Sequence, residues 1–436
     1  MVIIGGGYTG MWTAWHLLDS EPGIRVLLLE GGVCGHGPSG RNGGFCESLW
    51  FSAPTLRERF GDEPARRLLD ASSETVTAIG AWCEDNGVDA WFDQSGYLCA
   101  STGEAFDDVG LDAVEAAREL GKPEAVQDMS PAQVRARVDS PVFRRGVLVP
   151  DFATVQPARL ALGLRNRLLE RGVEIFEGSR VVSLDASTPR EVVVRTPGGS
   201  VRASAAVLAV GPSARSFRPL RSRLSVTSSH IVLTEPVPDV LEQIGWTGGE
   251  CITDGRTLLH YFRTTRDGRI LLGWGGGRPA YGARLHGRVE VDPQAAESAH
   301  GALVRLFPQL EGRRITHAWG GPIDVSPSHL PIIVPVGSDR VFGVFGYTGN
   351  GVGPSLMMGR TAASLALDRR DEHAELALVD PAPRRVPTGL TSWLGGSAIR
   401  AGLVSKEAAE ENGSVAGWLS RGLAAIPERI GFHIGR

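Results

Sequence analysis

Lysine is nearly missing from this 436-residue chain: Lys122 and Lys406 are the only two among 45 basic residues. Arginine carries the remaining positive charge. Cysteine is scarce too. The five, Cys34, Cys46, Cys83, Cys99 and Cys251, are odd in number and show no C-x-x-C spacing. That argues against a disulfide framework and a zinc site, no other metal site is indicated, and a reducing cytoplasm is the expected location. No apolar run reaches the roughly 18–20 residues that span a bilayer, and the N-terminus lacks a charged region followed by a signal core. With a net charge of -4 and a pI near 6.2, and no long basic run, nucleic acid is not expected as the main partner. What is present is 42% hydrophobic residues, ample for large cores in two or three domains. Neither an internal repeat nor a low-complexity stretch interrupts the chain.

Residues 2–30, VIIGGGYTGMWTAWHLLDSEPGIRVLLLE, read as strand, glycine turn, helix, strand. Val2, Ile3 and Ile4 suit a parallel strand buried on both faces. Gly5, Gly7 and Gly10 follow in G-x-G-x-x-G spacing: the first allows the tight turn, the second lets backbone approach a pyrophosphate, and the third lets the helix pack closely. That helix offers its free N–H groups, from Tyr8 and Thr9 onward, and the positive end of its dipole to phosphates. Met11, Ala14, Trp15 and Leu18 recur at helical spacing and Pro22-Gly23 ends the helix. Glu30, followed by Gly31, lies 20 residues beyond Gly10, near the distance expected of a carboxylate that binds an adenosine ribose. With 57 glycines a lone fingerprint is weak, but here the strand, the helix and the acid are all in place.

The glycine-rich segment after Glu30 holds Ser39, Gly40, Arg41, Asn42, Gly43 and Gly44. A loop rich in backbone donors with one fixed cation suits a pyrophosphate and the polar edge of a cofactor ring. GGGYTG, then Glu30, then SGRNGG resembles the opening of the FAD-dependent D-amino-acid-oxidase superfamily, most like its gamma-glutamylputrescine oxidase and sarcosine or glycine oxidase branches. The late run HAWGGPIDVSPSHLPII and the loop GYTGNGVG continue the resemblance, which covers nearly the whole chain.

The expected class is α/β (α+β overall): a Rossmann-like FAD-binding domain with an inserted antiparallel-sheet substrate domain. The FAD-binding domain is expected over 1–87, 151–221 and 319–378, the substrate domain over 88–150 and 222–318, and a helical tail over 379–436. Apolar positions Leu68, Leu69, Val76, Ile79 and Trp82 predict a helix across 63–83, and residues 91–99 read as a hairpin edge. Gln156-Pro157 and Gly172 bracket another helix. Residues 222–318 read as antiparallel strands covering the cofactor. On the later strands Tyr261 and Arg263 share a face at period two. The loop 346–353 opens a helix whose N-terminus is placed to stabilise negative charge at the pyrimidine end of a reduced flavin.

The resemblance further implies that Val181 or Val182 lies against the adenine, that Gly211 and Gly321 approach the cofactor, and that Thr348, Gly349, Asn350, Gly351 and Val352 border the flavin. It implies oxidation of a carbon–nitrogen bond of an amine or amino acid, with hydride passing to flavin and the imine then hydrolysed. No cysteine stands in Ala318-Trp319-Gly320-Gly321, where some relatives attach flavin covalently, so FAD is expected to be noncovalent. Tyr261, Arg263 and Tyr347 are the expected substrate-site residues, Arg263 as the fork for a substrate carboxylate or phosphonate. The acceptor is oxygen or another oxidant, and a homo-oligomer is possible. The glycine fingerprint alone also admits a nicotinamide-dependent dehydrogenase, though SGRNGG and GYTGNG have no use there. A flavin-binding subunit of a larger complex is the alternative from another class.

Overall fold

The computed structural model describes every residue except 189–190, 283, 381–382, 431 and 433–436. Val2–Ile4 is wholly apolar, and the three side chains are 0–3% exposed. Each contributes about 1.5–3 kcal/mol over an exposed position, which fixes this strand at the sheet centre. Ile3 pairs with Leu28 on one side and Val207 on the other, both in parallel register. The sheet runs Ile332–Pro335, Val341–Phe345, Ala206–Leu208, Val2–Ile4, Leu27–Leu29, Glu174–Phe176, with only the first strand antiparallel.

Helices Tyr8–Ser20 and Val352–Ala366 cross closely beside this sheet. A Cβ on Gly359 would lie 2.7 Å from the Trp12 Cβ, so glycine sets the approach. The predicted helical stripe lies in Asp62–Asp85, where Leu68, Leu69, Val76, Ile79 and Trp82 are all buried. Pro157–Glu170 is capped by Gln156, whose side chain accepts the Arg159 N–H. A small antiparallel sheet of Ser183–Asp185, Val192–Thr196 and Gly199–Ala203 flanks the parallel one in sequence.

The second large sheet has eight strands: Ile315–Val325, Ser225–Thr234, Ile270–Trp274, His260–Thr264, Cys251–Asp254, Tyr97–Ala100, Gly146–Val149, Gln127–Met129. Strands from 88–150 and from 222–318 therefore share one sheet. Every neighbour pair is antiparallel except Cys251–Asp254 with Tyr97–Ala100. Residues 91–99 do not form the hairpin edge expected of them. Their strand, Tyr97–Ala100, has partners on both sides because Tyr97 and Leu98 are fully buried and leave no solvent face. Ile315–Val325 runs through the boundary expected at residue 319 and carries the chain from this sheet toward the parallel one.

The C-terminal segment forms a 23-residue helix, Gly389–Glu411, followed by Trp418–Ala424, which packs against it where a Gly402 Cβ would lie 2.5 Å from that of Leu423. No helix among the described residues is long and apolar enough to cross a membrane.

Candidate active site

Between the two large sheets lies a cavity of about 1100 Å³. Most of the residues singled out from sequence line it: Gly5, Gly7, Tyr8 and Thr9; Glu30 and Gly31; Ser39, Arg41, Asn42 and Gly43; Val181; Gly211; Tyr261; Gly321; and Tyr347, Thr348, Gly349, Asn350, Gly351 and Val352. Gly10, Gly40, Gly44, Val182 and Arg263 do not line it. Two of these glycines act in packing. A Cβ on Gly10 would sit 2.0 Å from the Gly5 carbonyl oxygen, and one on Gly40 2.3 Å from that of Gly35. Gly44, at φ +80°, would drive a Cβ within 2.1 Å of the Val155 oxygen. Val182 is 64% exposed and gives its N–H to Arg195. Val181, its neighbour, does line the cavity.

The end of the cavity over the parallel strands is built from backbone donors. Gly5 has φ +110°, and a Cβ there would lie 2.2 Å from the Ala209 oxygen, so only glycine makes this turn. Glu30 closes the Leu27–Leu29 strand; Oε2 accepts the Gly6 N–H and Oε1 the Gly32 N–H, both at 2.7 Å. A carboxylate holds further lone pairs for hydroxyls beyond those two bonds. Helices Tyr8–Ser20 and Val352–Ala366 both begin at this cavity, with no cap from their N-cap side chains and no acid in the first turn. Ser39 Oγ accepts the Tyr8 N–H at 2.9 Å, tying the second glycine loop to the first. Asn42 braces that loop, donating to Pro38 and Ser39 and accepting from Gly44. Arg41 reaches Glu290 at 3.0 Å and His36 at 3.1 Å.

The side facing the antiparallel sheet holds Tyr261, whose hydroxyl meets Ser229 Oγ at 2.7 Å; burial pushes its pKa up to about 12. Tyr347 meets Thr9 Oγ1 at 2.6 Å, and burial pushes its pKa up as well. Both stay protonated at neutral pH.

Arg263 does not serve as the expected anion fork. It is 4% exposed, and its Nε and Nη2 donate to the carbonyls of Gly43 and Val155 and Nη1 to that of Thr264. It does share a face with Tyr261, but the backbone of the 43–44 loop covers it, and burial pulls its pKa down to about 10.

Other lining residues escaped the sequence reading. Asp324 lies in the GGPIDV run noted there without a role, accepts the Gly346 N–H at 2.5 Å, and has a pKa pushed up to about 6 by burial. Thr348, beside it, sits at φ +55°, an uncommon conformation that its contacts to Asp324 and Gly346 sustain. Trp393 and Arg400 come from the C-terminal helix, where no motif marked them.

The family model described as FAD dependent oxidoreductase matches residues 1–365. The chain belongs to that family. Among curated proteins it is similar to the probable oxidoreductase OrdL of Rhizobium meliloti, 29% identical over 386 residues covering 85% of this chain and 84% of that one. It is also similar to the gamma-glutamylputrescine oxidoreductase of Escherichia coli, 28% identical over 373 residues, covering 83% and 82%. Glycine oxidase from Geobacillus kaustophilus shares the fold, with a TM-score of 0.71 at 20% identity over 87% of this chain and 98% of that one.

The residues of this family member fit an FAD. The cavity exceeds the roughly 300–1,000 Å³ of a drug-sized site and so accommodates a dinucleotide with a small second molecule. Glycines such as Gly211, Gly321 and Gly349 that leave the lining open, a carboxylate with spare lone pairs and two helix N-termini without a cap from their own N-cap side chains are the donor and acceptor set that ribose, pyrophosphate and a flavin pyrimidine ring require.

Proposed function

We propose that this FAD dependent oxidoreductase oxidises the carbon–nitrogen single bond of an amine or amino acid. The observation that carries the reading is the make-up of the cavity: a dinucleotide cradle at one end and, at the other, a chamber walled by Tyr261, Ser229, Leu259 and Ile399. When bound, FAD supplies the acceptor for the hydride that leaves the substrate carbon. Glu30 and the helix starting at Tyr8 would hold its ribose and pyrophosphate, Val181 would lie on the adenine side, and the helix starting at Val352 would stabilise charge on the flavin pyrimidine end.

The protein's own residues orient the substrate and exclude water. Tyr261, fixed by Ser229, shapes the chamber with a protonated hydroxyl, and Tyr347, fixed by Thr9, closes it beside the Gly349 loop. Neither removes a proton, so the substrate nitrogen must enter unprotonated. The amine loses its N–H proton to solvent, the C=N product takes up water, and a carbonyl compound and an amine or ammonia leave.

In the same reading the FAD-binding domain comprises 1–87, 151–221 and the chain from the end of Ile315–Val325 to 378, and 88–150 with 222–314 and that strand form the substrate domain. FAD is held noncovalently, and the buried thiols suit a reducing cytoplasm. Oxygen or another oxidant reoxidises the enzyme. Anaerobic mixing with a panel of amines and amino acids tests the activity, with bleaching of the flavin the expected result; a yellow protein that no amine bleaches overturns it. Acid or heat should release the flavin to the supernatant, and flavin that stays with the precipitate would exclude noncovalent binding.

A further inference from the structure

With Arg263 buried against backbone carbonyls, the sheet offers the chamber no cation. Among the described lining residues contributed by 229–280 and 386–432, Arg400 is the only one with a charged side chain. It lies on the Gly389–Glu411 helix, beyond the 1–365 region by which the family is recognised. Its Nε donates to the carbonyls of Gly276 and Gly277 at 2.7 and 3.0 Å, and its guanidinium carbon stands 5.6 Å from the centre of the Trp274 ring. Those contacts hold the planar group by one edge and one face. Nη1 and Nη2 have no hydrogen-bond partner among the described residues, and no carboxylate pairs with the group. The nearby acid, Asp292, is taken by Arg278 at 2.9 Å.

The helix that carries Arg400 is firmly seated. Glu407 accepts the Leu258 N–H at 3.0 Å, on the loop that leads into the Tyr261 strand. Glu411 forms ion pairs with Arg256 and Arg305, and Arg256 in turn reaches Asp254 at 3.2 Å. A Cβ on Gly396 would sit 3.3 Å from Pro279, so the helix approaches the sheet end closely one turn before Arg400. The guanidinium therefore has a defined position and an open fork, and a half-buried cation without a counter-ion gains most from an anion that docks on it.

We infer that the C-terminal helix completes the substrate chamber and that Arg400 is its specificity-determining residue, selecting amines that carry a carboxylate. This rests on the amine-oxidising reading above. The substrate's acid group takes the two free edges of the Arg400 fork, while its amine end reaches toward Tyr261. The anion selectivity thus comes from a segment that the family-defining region does not contain.

The test uses FAD-loaded protein titrated with benzoate and, separately, with benzamide, following the visible flavin spectrum. Benzoate should perturb the spectrum saturably and bind at least tenfold more tightly than benzamide. In Arg400→Gln, whose amide still reaches the Gly276 carbonyl, the benzoate Kd should rise at least tenfold and the benzamide response should not change. Arg400→Lys should recover part of the benzoate affinity. Equal benzoate binding in Arg400→Gln and the parent, equal binding of the two probes by the parent, or no benzoate binding at all would each overturn the assignment. Flavin content reports on the underlying reading separately: a chain that takes up no FAD defeats the family function itself, whereas FAD-loaded protein without carboxylate discrimination defeats only the role of Arg400.

Discussion

Removing the Glu30 carboxylate should cripple FAD binding while leaving the fold in place. In the structure each of its oxygens already holds one backbone N–H, Gly6 and Gly32, at 2.7 Å. With FAD bound, the ribose hydroxyls would add two further bonds to a charged acceptor, each about 1.5–3 kcal/mol. Glu30→Ala therefore costs roughly 3–6 kcal/mol of FAD affinity, about two to four orders of magnitude in Kd. It also releases the N–H of buried Gly6, so the glycine turn loses its brace. Glu30→Gln should fall between parent and alanine, because an amide keeps one oxygen but turns an NH2 group toward the second N–H. Titrating apoprotein with FAD and following the quenching of flavin fluorescence gives all three constants. A Glu30→Ala constant within threefold of the parent would refute both the ribose assignment and the magnitude.

Arg263→Met should destabilise the protein by roughly 3–5 kcal/mol, since it leaves buried carbonyls without donors. Chemical denaturation measures that loss, and an unchanged unfolding midpoint would contradict the bracing role. Asp324 has a folded pKa near 6, above the 3.8 of an ordinary aspartate, so its contribution to stability is present at low pH and is lost as pH rises through 6. Keeping it ionised at pH 8 costs on the order of 3 kcal/mol. Asp324→Asn should thus gain in Tm relative to the parent more at pH 8 than at pH 5, and an equal difference at both would refute this. A lysine ammonium beside the flavin would stabilise the negative charge that oxygen gains as it is reduced, and neither Lys122 nor Lys406 lines the cavity; they lie near Asp70 and Glu410. Reoxidation by air should accordingly be slow, an artificial acceptor should be faster, and stopped-flow traces of both lysine variants should match the parent. Fast reoxidation by air would overturn the expectation.

The nucleotide half of the site was legible because its signals are local. The turn at Gly5, the packing at Gly10 and the carboxylate of Glu30 all follow from spacing along thirty residues, and the structure puts each where that spacing leads. The substrate half depends on what comes to lie over a strand. Period two correctly puts Tyr261 and Arg263 on one face, but it cannot say that the 43–44 backbone covers one and a cavity meets the other. Residues 91–99 misled for the same reason: whether a strand is an edge is decided by partners 50 and 150 residues away. Arg400 carried no signal, being one arginine of many in a tail without a motif. Asp324 stood inside a quoted run, yet only its burial distinguishes it from a surface acid.

The interleaving of the two sheets sets a timetable for the ribosome. The central strand Val2–Ile4 gains its Leu27–Leu29 neighbour almost at once, but the opposite edge waits for Ala206–Leu208. At about 5–20 residues per second, that edge stays open for on the order of 10–40 s of synthesis. Tyr97–Ala100 likewise waits for Cys251–Asp254, and the Val352–Ala366 helix that covers the glycine turn emerges later still. The nascent chain thus leaves apolar strand edges unpaired for most of its translation. Yield in a heterologous host should rise with slower synthesis or added chaperone, and extra FAD should help only once the loop at Gly349 has emerged, since its cradle needs that loop.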